Sequence, residues 1–406
     1  MTSVVDQSPS CRAMPPLLTI IAMSTFAAAL SARAVEPVLP QIGNDLSVSI
    51  AIAAGLSAAN ALTFALVQPF LGALADLFGK ARLVVVCLIV LAVANAAGAF
   101  ATSYSMLFAT RILAGVGAGG VFPIAMGLTS DLVPTHQRQI AMGRVLGGAM
   151  IGNLLGATFS GIIGDFVGWR GVLLLLGALV MIASFAVAYG FRGVLSGTVQ
   201  RVPLSQLKQG YQTILANPNA RVCFTAVFIE GLCILGLFPF VAAFLADLGE
   251  PRLSIAGVVI AGFAVGGLCY TLTVSRLLPR LGVNGMMIGG GLLAGTQLAF
   301  VAFGAPWPWQ LVSFFLMGWG FYSLHGSLQI FSSDLAPEAR ASALAIHSFF
   351  FFMGQAAGPV IYGFGLAHFG KTATMLISAT IVITLGFVCA RLLHQQPTGP
   401  EDMADI

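Results

Sequence analysis

A chain of 406 residues in which 58% are hydrophobic and 8% charged lies far from a soluble domain, where about a quarter of positions carry charge. No water-soluble core of this size could hide that much apolar surface, so lipid is the solvent and helices are the spanning elements. The net charge of +4 comes from basic residues at span ends and implies no nucleic-acid partner.

A crossing takes about 20 apolar residues. The sequence predicts twelve spans, at 17–38, 50–74, 83–103, 106–130, 139–164, 171–191, 220–247, 254–275, 284–304, 308–332, 342–366 and 373–393. Span one follows Arg12 and contains Ala32-Arg33-Ala34, which looks like a signal-cleavage site, but its apolar run is too long and more spans follow at once. It reads as an uncleaved helix. Arg33 and Glu36, three apart, can pair on one face of it, either gating the outer mouth or making a plain structural contact.

Span two carries the amides Asn60 and Gln68 and leads into Gly72-Ala73-Leu74-Ala75-Asp76-Leu77-Phe78-Gly79-Lys80-Ala81-Arg82. Asp76 can accept from the amino end of the next helix, Gly79 permits a tight turn, and Lys80 and Arg82 reach the membrane surface. Gly72, Asp76, Gly79, Lys80 and Arg82 are therefore expected to form a conformational latch, closed in one state and broken in another. Its counterpart in the second half, from Gly267 through Arg276 and Arg280 to Gly282, is degenerate. Span four contains Leu107-Phe108-Ala109-Thr110-Arg111-Ile112-Leu113-Ala114-Gly115-Val116-Gly117, and span five closes with Gly168-Trp169-Arg170.

These segments resemble the major facilitator superfamily along nearly the whole chain, and within it bacterial drug-proton antiporter-like members. The resemblance implies an all-α membrane protein with twelve transmembrane helices in two six-helix bundles, spans one, four, seven and ten lining the cavity. It also links the span-four arginine, here Arg111, to proton movement. One departure stands out. Such antiporters usually carry Gly-Pro in span five, whereas here Gly156 precedes Ala157 and the pair Gly358-Pro359 lies in span eleven.

A duplication supports the two-bundle reading independently. Ser130-Asp131-Leu132-Val133-Pro134 recurs 203 residues later as Ser333-Asp334-Leu335-Ala336-Pro337, and Gly115 and Gly117 match Gly318 and Gly320 at the same offset. Arg138, Gly152, Gly156, Gly161 and Gly168 match Arg340, Gly354, Gly358, Gly363 and Gly370 at an offset of 202. An even number of spans separates the repeats, so they are parallel and related about an axis along the membrane normal, with the solute site near the midplane between them. The expected units are an amino-terminal bundle over 1–191, a cytoplasmic linker over 192–219, and a carboxy-terminal bundle with a short tail over 220–406. Many of the 48 glycines are spaced four apart, which lets helices approach closely in lipid.

Ionisable groups at membrane depth are functional candidates because burial there is costly. Glu230 lies about 15 Å into span seven with no basic neighbour in its own helix. His325 in span ten should sit at similar depth and is its candidate partner, though a lone His is more often a satisfied core residue. Asn153 and Gln355 occupy equivalent repeat positions and could hydrogen-bond in a cavity, with Tyr270, Gln297 and Tyr322 as further polar groups. The run Phe349 to Phe352 covers a full helical turn, so it must face lipid as well as neighbouring helices.

Thirteen of the eighteen basic residues fall on the face that also holds both termini, while Arg170, Arg252 and Lys371 lie opposite. That bias makes the first face cytoplasmic and, with the resemblance, implies a bacterial inner-membrane protein. The six cysteines show no paired spacing, so neither a disulfide framework nor a metal site is expected. Gly365 to Thr372 fits the nucleotide-binding P-loop pattern, but a P-loop follows a strand and this segment joins two membrane helices, so no ATP or other cofactor is expected. The expectation is a non-enzymatic secondary transporter, functional as a monomer, moving a small organic solute by proton-coupled efflux. The alternatives are uptake or uniport, and, from another class, a channel or a membrane sensor, for which no ion ring or added soluble domain is seen.

Overall fold

The computed structural model describes residues 16–133, 138–192, 212–336 and 340–393. Most of the expected linker (193–211) and the tail from 394 lie outside the described residues, as do Arg12, Pro134 and Pro337. Among the described residues there is no strand, and the helices make twelve passes.

Span one is Pro16–Ala32, a non-helical break over 33–38, and Leu39–Asp45. Spans two, three and four are Ile50–Phe78, Lys80–Ala99 and Tyr104–Leu132. Spans five and six form Arg138–Gly190, divided at Gly168 (φ 69°, ψ 175°). Span seven is Pro218–Ile234, a 3-10 turn Leu235–Phe240 around Pro239, and Val241–Asp247. Spans eight and nine form Leu253–Ala302, divided at Gly282 (φ 66°, ψ 171°), and span ten is Trp307–Asp334. Spans eleven and twelve form Arg340–Leu392, divided at Gly370 (φ 76°, ψ 171°). That backbone conformation is open essentially to glycine alone, which is why the chain reverses between spans at these points.

Glycine contacts show the pseudo-symmetry directly. Gly115 abuts the Asn60 carbonyl and Gly318 the Phe263 carbonyl, both contacts shifted by the same 203 residues. Gly152 packs on the Phe26 carbonyl and Gly354 on that of Phe228, both shifted by 202. Span five therefore sits on span one as span eleven sits on span seven. The halves meet through a matched pair of contacts, Gly161 against Leu253 and Gly363 against Ala51.

Those cross-half contacts lie toward the face opposite the basic residues. There Asp165 accepts from the backbone N–H groups of Leu253 and Ser254, each at 2.9 Å, at the start of span eight. Midway down, Phe64 of span two meets Phe352 of span eleven with ring centroids 4.3 Å apart. Toward the basic face a side chain at Gly143 or Gly147 would touch nothing within 4 Å.

Candidate functional site

Two polar clusters sit in the apolar interior. The first is built on spans seven, ten and eleven. His325 Nδ1 lies 2.9 Å from Glu230 Oε2, with Glu230 fully buried and 16% of the His325 side chain accessible. The pocket is aromatic: His325 stacks on Phe321 (5.1 Å) and contacts Phe351 (4.8 Å). Gly231, next to the carboxylate, packs on the span-eleven backbone at Phe351 and Gln355, which brings the two helices together at this depth. Beyond Ile234 the helix tightens into the 3-10 turn, and the Tyr362 hydroxyl donates to the Cys233 carbonyl at 2.7 Å.

The sequence reading missed His347, which completes this cluster. Its ring centroid is 5.0 Å from that of His325, and its Nδ1 is 2.8 Å from the Ser332 hydroxyl. A signal was available: His347, Phe351 and Gln355 recur every four residues and so share one face of span eleven. Glu230 Oε1 and His347 Nε2 are both buried without a hydrogen-bond partner among the described residues.

The second cluster joins spans one to four and eleven. Arg33 and Glu36 pair at 2.9 Å, but within the break over 33–38 and not on a helical face. Two helix segments flank that break, so the pair sits where the backbone leaves the helix. The Arg33 guanidinium also lies over the Phe238 ring, 4.9 Å from its centroid, across the half-to-half boundary. Arg111 donates to Asn95 Oδ1 (3.1 Å) and to the Ala94 carbonyl (3.2 Å), and Asn95 donates to Ser31 Oγ (2.9 Å). Glu36, Arg111, Gln355, Asn60, Ser31 and Ser57 line one narrow cavity. Glu36 Oε2, Arg111 Nε and Gln355 Oε1 are buried there without a hydrogen-bond partner among the described residues, so hydrogen-bonding capacity converges unused on this space. Asn153, the repeat partner of Gln355, is half-buried and does not line this cavity.

At the basic face Gly79 adopts φ 92° and joins spans two and three, and Lys80 Nζ pairs with Asp131 Oδ2 at 2.6 Å. Asp131 was read from the sequence only as part of the repeat; its pairing with Lys80 spans 51 residues and has no local signature. Arg82 is exposed. Position 72 and the Asp76 side chain lie outside the described residues. At the opposite face Gly168 turns the chain so that Trp169 and Arg170 both hydrogen-bond Asp45 at the end of span one. Nearby, the hydrogen bond from the Arg252 guanidinium (2.6 Å) holds the Glu250 carboxyl below its usual range. The Gly365–Thr372 segment is helix and turn around Gly370, preceded by helix and not by a strand.

Comparison with known proteins gives a consistent answer. The sequence model of the Major Facilitator Superfamily matches residues 21–296 and 253–404. The multi-drug resistance efflux pump PmrA of Streptococcus pneumoniae serotype 4 is 24% identical over 379 residues, covering 90% of this chain and 93% of that protein. The quinolone resistance protein NorA of Staphylococcus aureus is 25% identical over 385 residues, covering 93% and 96%. Among solved structures, the nucleoside transporter NupG superposes with a TM-score of 0.75 at 14% identity, over 94% of this chain and 100% of that one. A bacterial homolog of the human lysosomal transporter Spinster, inward-facing and unoccupied, gives 0.75 at 17% identity, over 94% and 98%. A matched family model along the chain, twelve passes in two pseudo-symmetric bundles and relatives that span its full length place this multi-pass membrane protein, a non-enzymatic carrier of small solutes, in the Major Facilitator Superfamily.

Proposed function

We propose that this chain exports a small organic solute across a bacterial inner membrane in exchange for protons, acting as a monomer. The basic face is cytoplasmic by the charge bias of its loops, which puts both termini inside. The amino-terminal bundle (1–191) and carboxy-terminal bundle (220–406) then rock about the cavity, joined by the linker 192–219. The export direction is supported by the named activity of the relatives PmrA and NorA, an efflux pump and a resistance protein.

The observation that carries the coupling is the Glu230–His325 pair: a fully buried carboxylate with one oxygen on an imidazole and the other without a hydrogen-bond partner among the described residues. A carboxylate without a fixed cation in an apolar pocket is far easier to bury protonated, so gain and loss of one proton changes how well the pocket closes. Binding shifts a conformational equilibrium only through such differential stabilisation. Arg111 holds a fixed positive charge at the second cluster and polarises the cavity that the solute enters, while Arg33 and Glu36 pair near the mouth opposite the basic face. Lys80 and Asp131, with Arg82, Gly72, Asp76 and the turn at Gly79, form the latch of the amino-terminal bundle at the basic face.

Proton release from acid-loaded everted vesicles, challenged with a chemically diverse solute panel, tests this reading. Wild type should release protons with one compound class, while Glu230→Gln and Arg111→Ala should lose at least about nine-tenths of that release, in line with losing a positioned proton carrier. If labelled solutes cross in proteoliposomes but no compound releases protons from wild type, the chain is a uniporter or symporter and Glu230 has no coupling role.

A further inference from the structure

We infer that His347 and Ser332 form the path by which the Glu230–His325 pair exchanges protons with the basic face, separate from the cavity lined by Glu36 and Arg111. The inference rests on the proton-coupled reading above and adds the route.

The four groups descend in order. Glu230 is fully buried and its Oε2 meets His325 Nδ1 at 2.9 Å. The His325 and His347 rings stand edge to face with centroids 5.0 Å apart. Ring nitrogens lie at the rim of an imidazole, so at this separation a small rotation or a single water connects them. His347 Nδ1 is 2.8 Å from Ser332 Oγ. Ser332 is seven residues beyond His325 on span ten, about 10 Å nearer the basic face, and two residues before the exposed Asp334 that ends the helix.

The unpartnered nitrogen decides between a relay and a merely structural His. With Nδ1 donating to Ser332, Nε2 of a neutral His347 carries a lone pair, and that atom is buried with no hydrogen bond among the described residues. A structural His would use both ends, because an orphaned buried acceptor costs about 1–3 kcal/mol. An acceptor left free on the side of a second imidazole is what a hand-off requires. The titratable group in contact with His347 is His325 on span ten, which in turn holds Glu230 on span seven; Cys223 and Cys389 lie buried in the neighbouring core cluster. Among the described residues neither histidine makes an ion pair with a lysine or arginine.

Proton counts balance along the route. The Glu230 carboxyl gives its proton from Oε2 to His325 Nδ1, and the His325 Nε2 proton passes to His347 Nε2. The His347 Nδ1 proton then passes to Ser332 Oγ, itself fully buried, whose own hydroxyl proton leaves to water once the end of span ten opens beside the exposed Asp334. Each carrier ends with as many protons as it began, Glu230 has one fewer, and the water has one more.

The test needs no solute. The full chain in lipid vesicles is followed by infrared spectroscopy after a pH jump, reading the protonated-carboxyl band that Glu230→Gln removes. His347→Gln keeps a group able to bond Ser332 but cannot carry a proton; it should slow the appearance of that band roughly a hundredfold with its amplitude unchanged. Ser332→Ala should slow it similarly, and Ser332→Thr, which restores the hydroxyl, should recover the wild-type rate. A packing role would change the amplitude or the folded yield and would not be rescued by threonine. Wild-type kinetics in both His347→Gln and Ser332→Ala would overturn the path while leaving Glu230 as the coupling group. Absence of any carboxyl band assignable to Glu230 in wild type would overturn the coupling reading and the path with it. If His347→Gln does not fold, the Ser332 pair decides alone.

Discussion

Arg111 shows how a charge survives in this interior. Two of its nitrogens reach Asn95 Oδ1 and the Ala94 carbonyl, and Asn95 is fixed in turn by Ser31. The chain Arg111–Asn95–Ser31 crosses from span four through span three to span one, so the guanidinium orients three helices of one bundle around itself. Gly98 makes room, since a side chain there would strike both the guanidinium and Leu173. Asn95→Leu would keep the apolar packing yet strand the guanidinium donor; because a hydrogen bond to a charged group contributes about 1.5–3 kcal/mol, we expect a lower melting temperature in detergent and a loss of transport. An unchanged melting temperature would show that water or lipid headgroups replace Asn95. The same residue-scale logic separates what the sequence made legible at the site from what it did not. Glu230, His325, Arg111 and Gln355 stand out because a charge or amide in an apolar run is conspicuous. His347 and Asp131 act through partners 15 and 51 residues away in sequence, and neither spacing carries a local pattern.

At the scale of elements, glycine does two different jobs that its abundance alone cannot distinguish. Gly168, Gly282 and Gly370 reverse the chain at positive φ, while Gly152, Gly156 and Gly354 let helix backbones touch. Gly168→Ala should cost about 1–3 kcal/mol because the alanine methyl cannot accept that conformation. It would also shift Trp169 and Arg170 off Asp45. Gly143→Ala, in contrast, meets open space in a helix and should be neutral or stabilising by up to about 1 kcal/mol. Detergent-resistant folded yield of the two variants checks both predictions together; equal yields would mean that the turn at 168 is not strained for alanine. Span positions were legible because hydropathy reports length in the bilayer directly. The break over 33–38 and the 3-10 turn at Leu235–Phe240 were not, because each lies inside one span-length hydrophobic stretch, and Pro37 and Pro239 do not by themselves tell a kinked helix from a broken one.

Across the whole molecule the duplication was legible and its asymmetry was not. The halves close at the face opposite the basic residues through the equivalent contacts Gly161–Leu253 and Gly363–Ala51. Only one of these is reinforced by charge: Asp165 bonds the first N–H groups of span eight, where helix ends favour an anion. The position 202 residues on is Ala367, which offers no acceptor, so one side of the closure depends on a carboxylate and the other on packing alone. Such a bond exists only while the halves touch at that face, and it stabilises that state relative to the one open there. Asp165 is exposed, so its contribution is screened and set at about 1 kcal/mol, several-fold in population. Asp165→Asn should therefore shift the molecule toward opening at that face without disturbing either cluster in the interior. Spin labels on Phe166→Cys and Phe369→Cys, one in each half at that end, should report a longer-distance population in the variant that is minor in wild type. Superimposable distance distributions would show that glycine packing alone holds the closure and that the carboxylate only caps a helix.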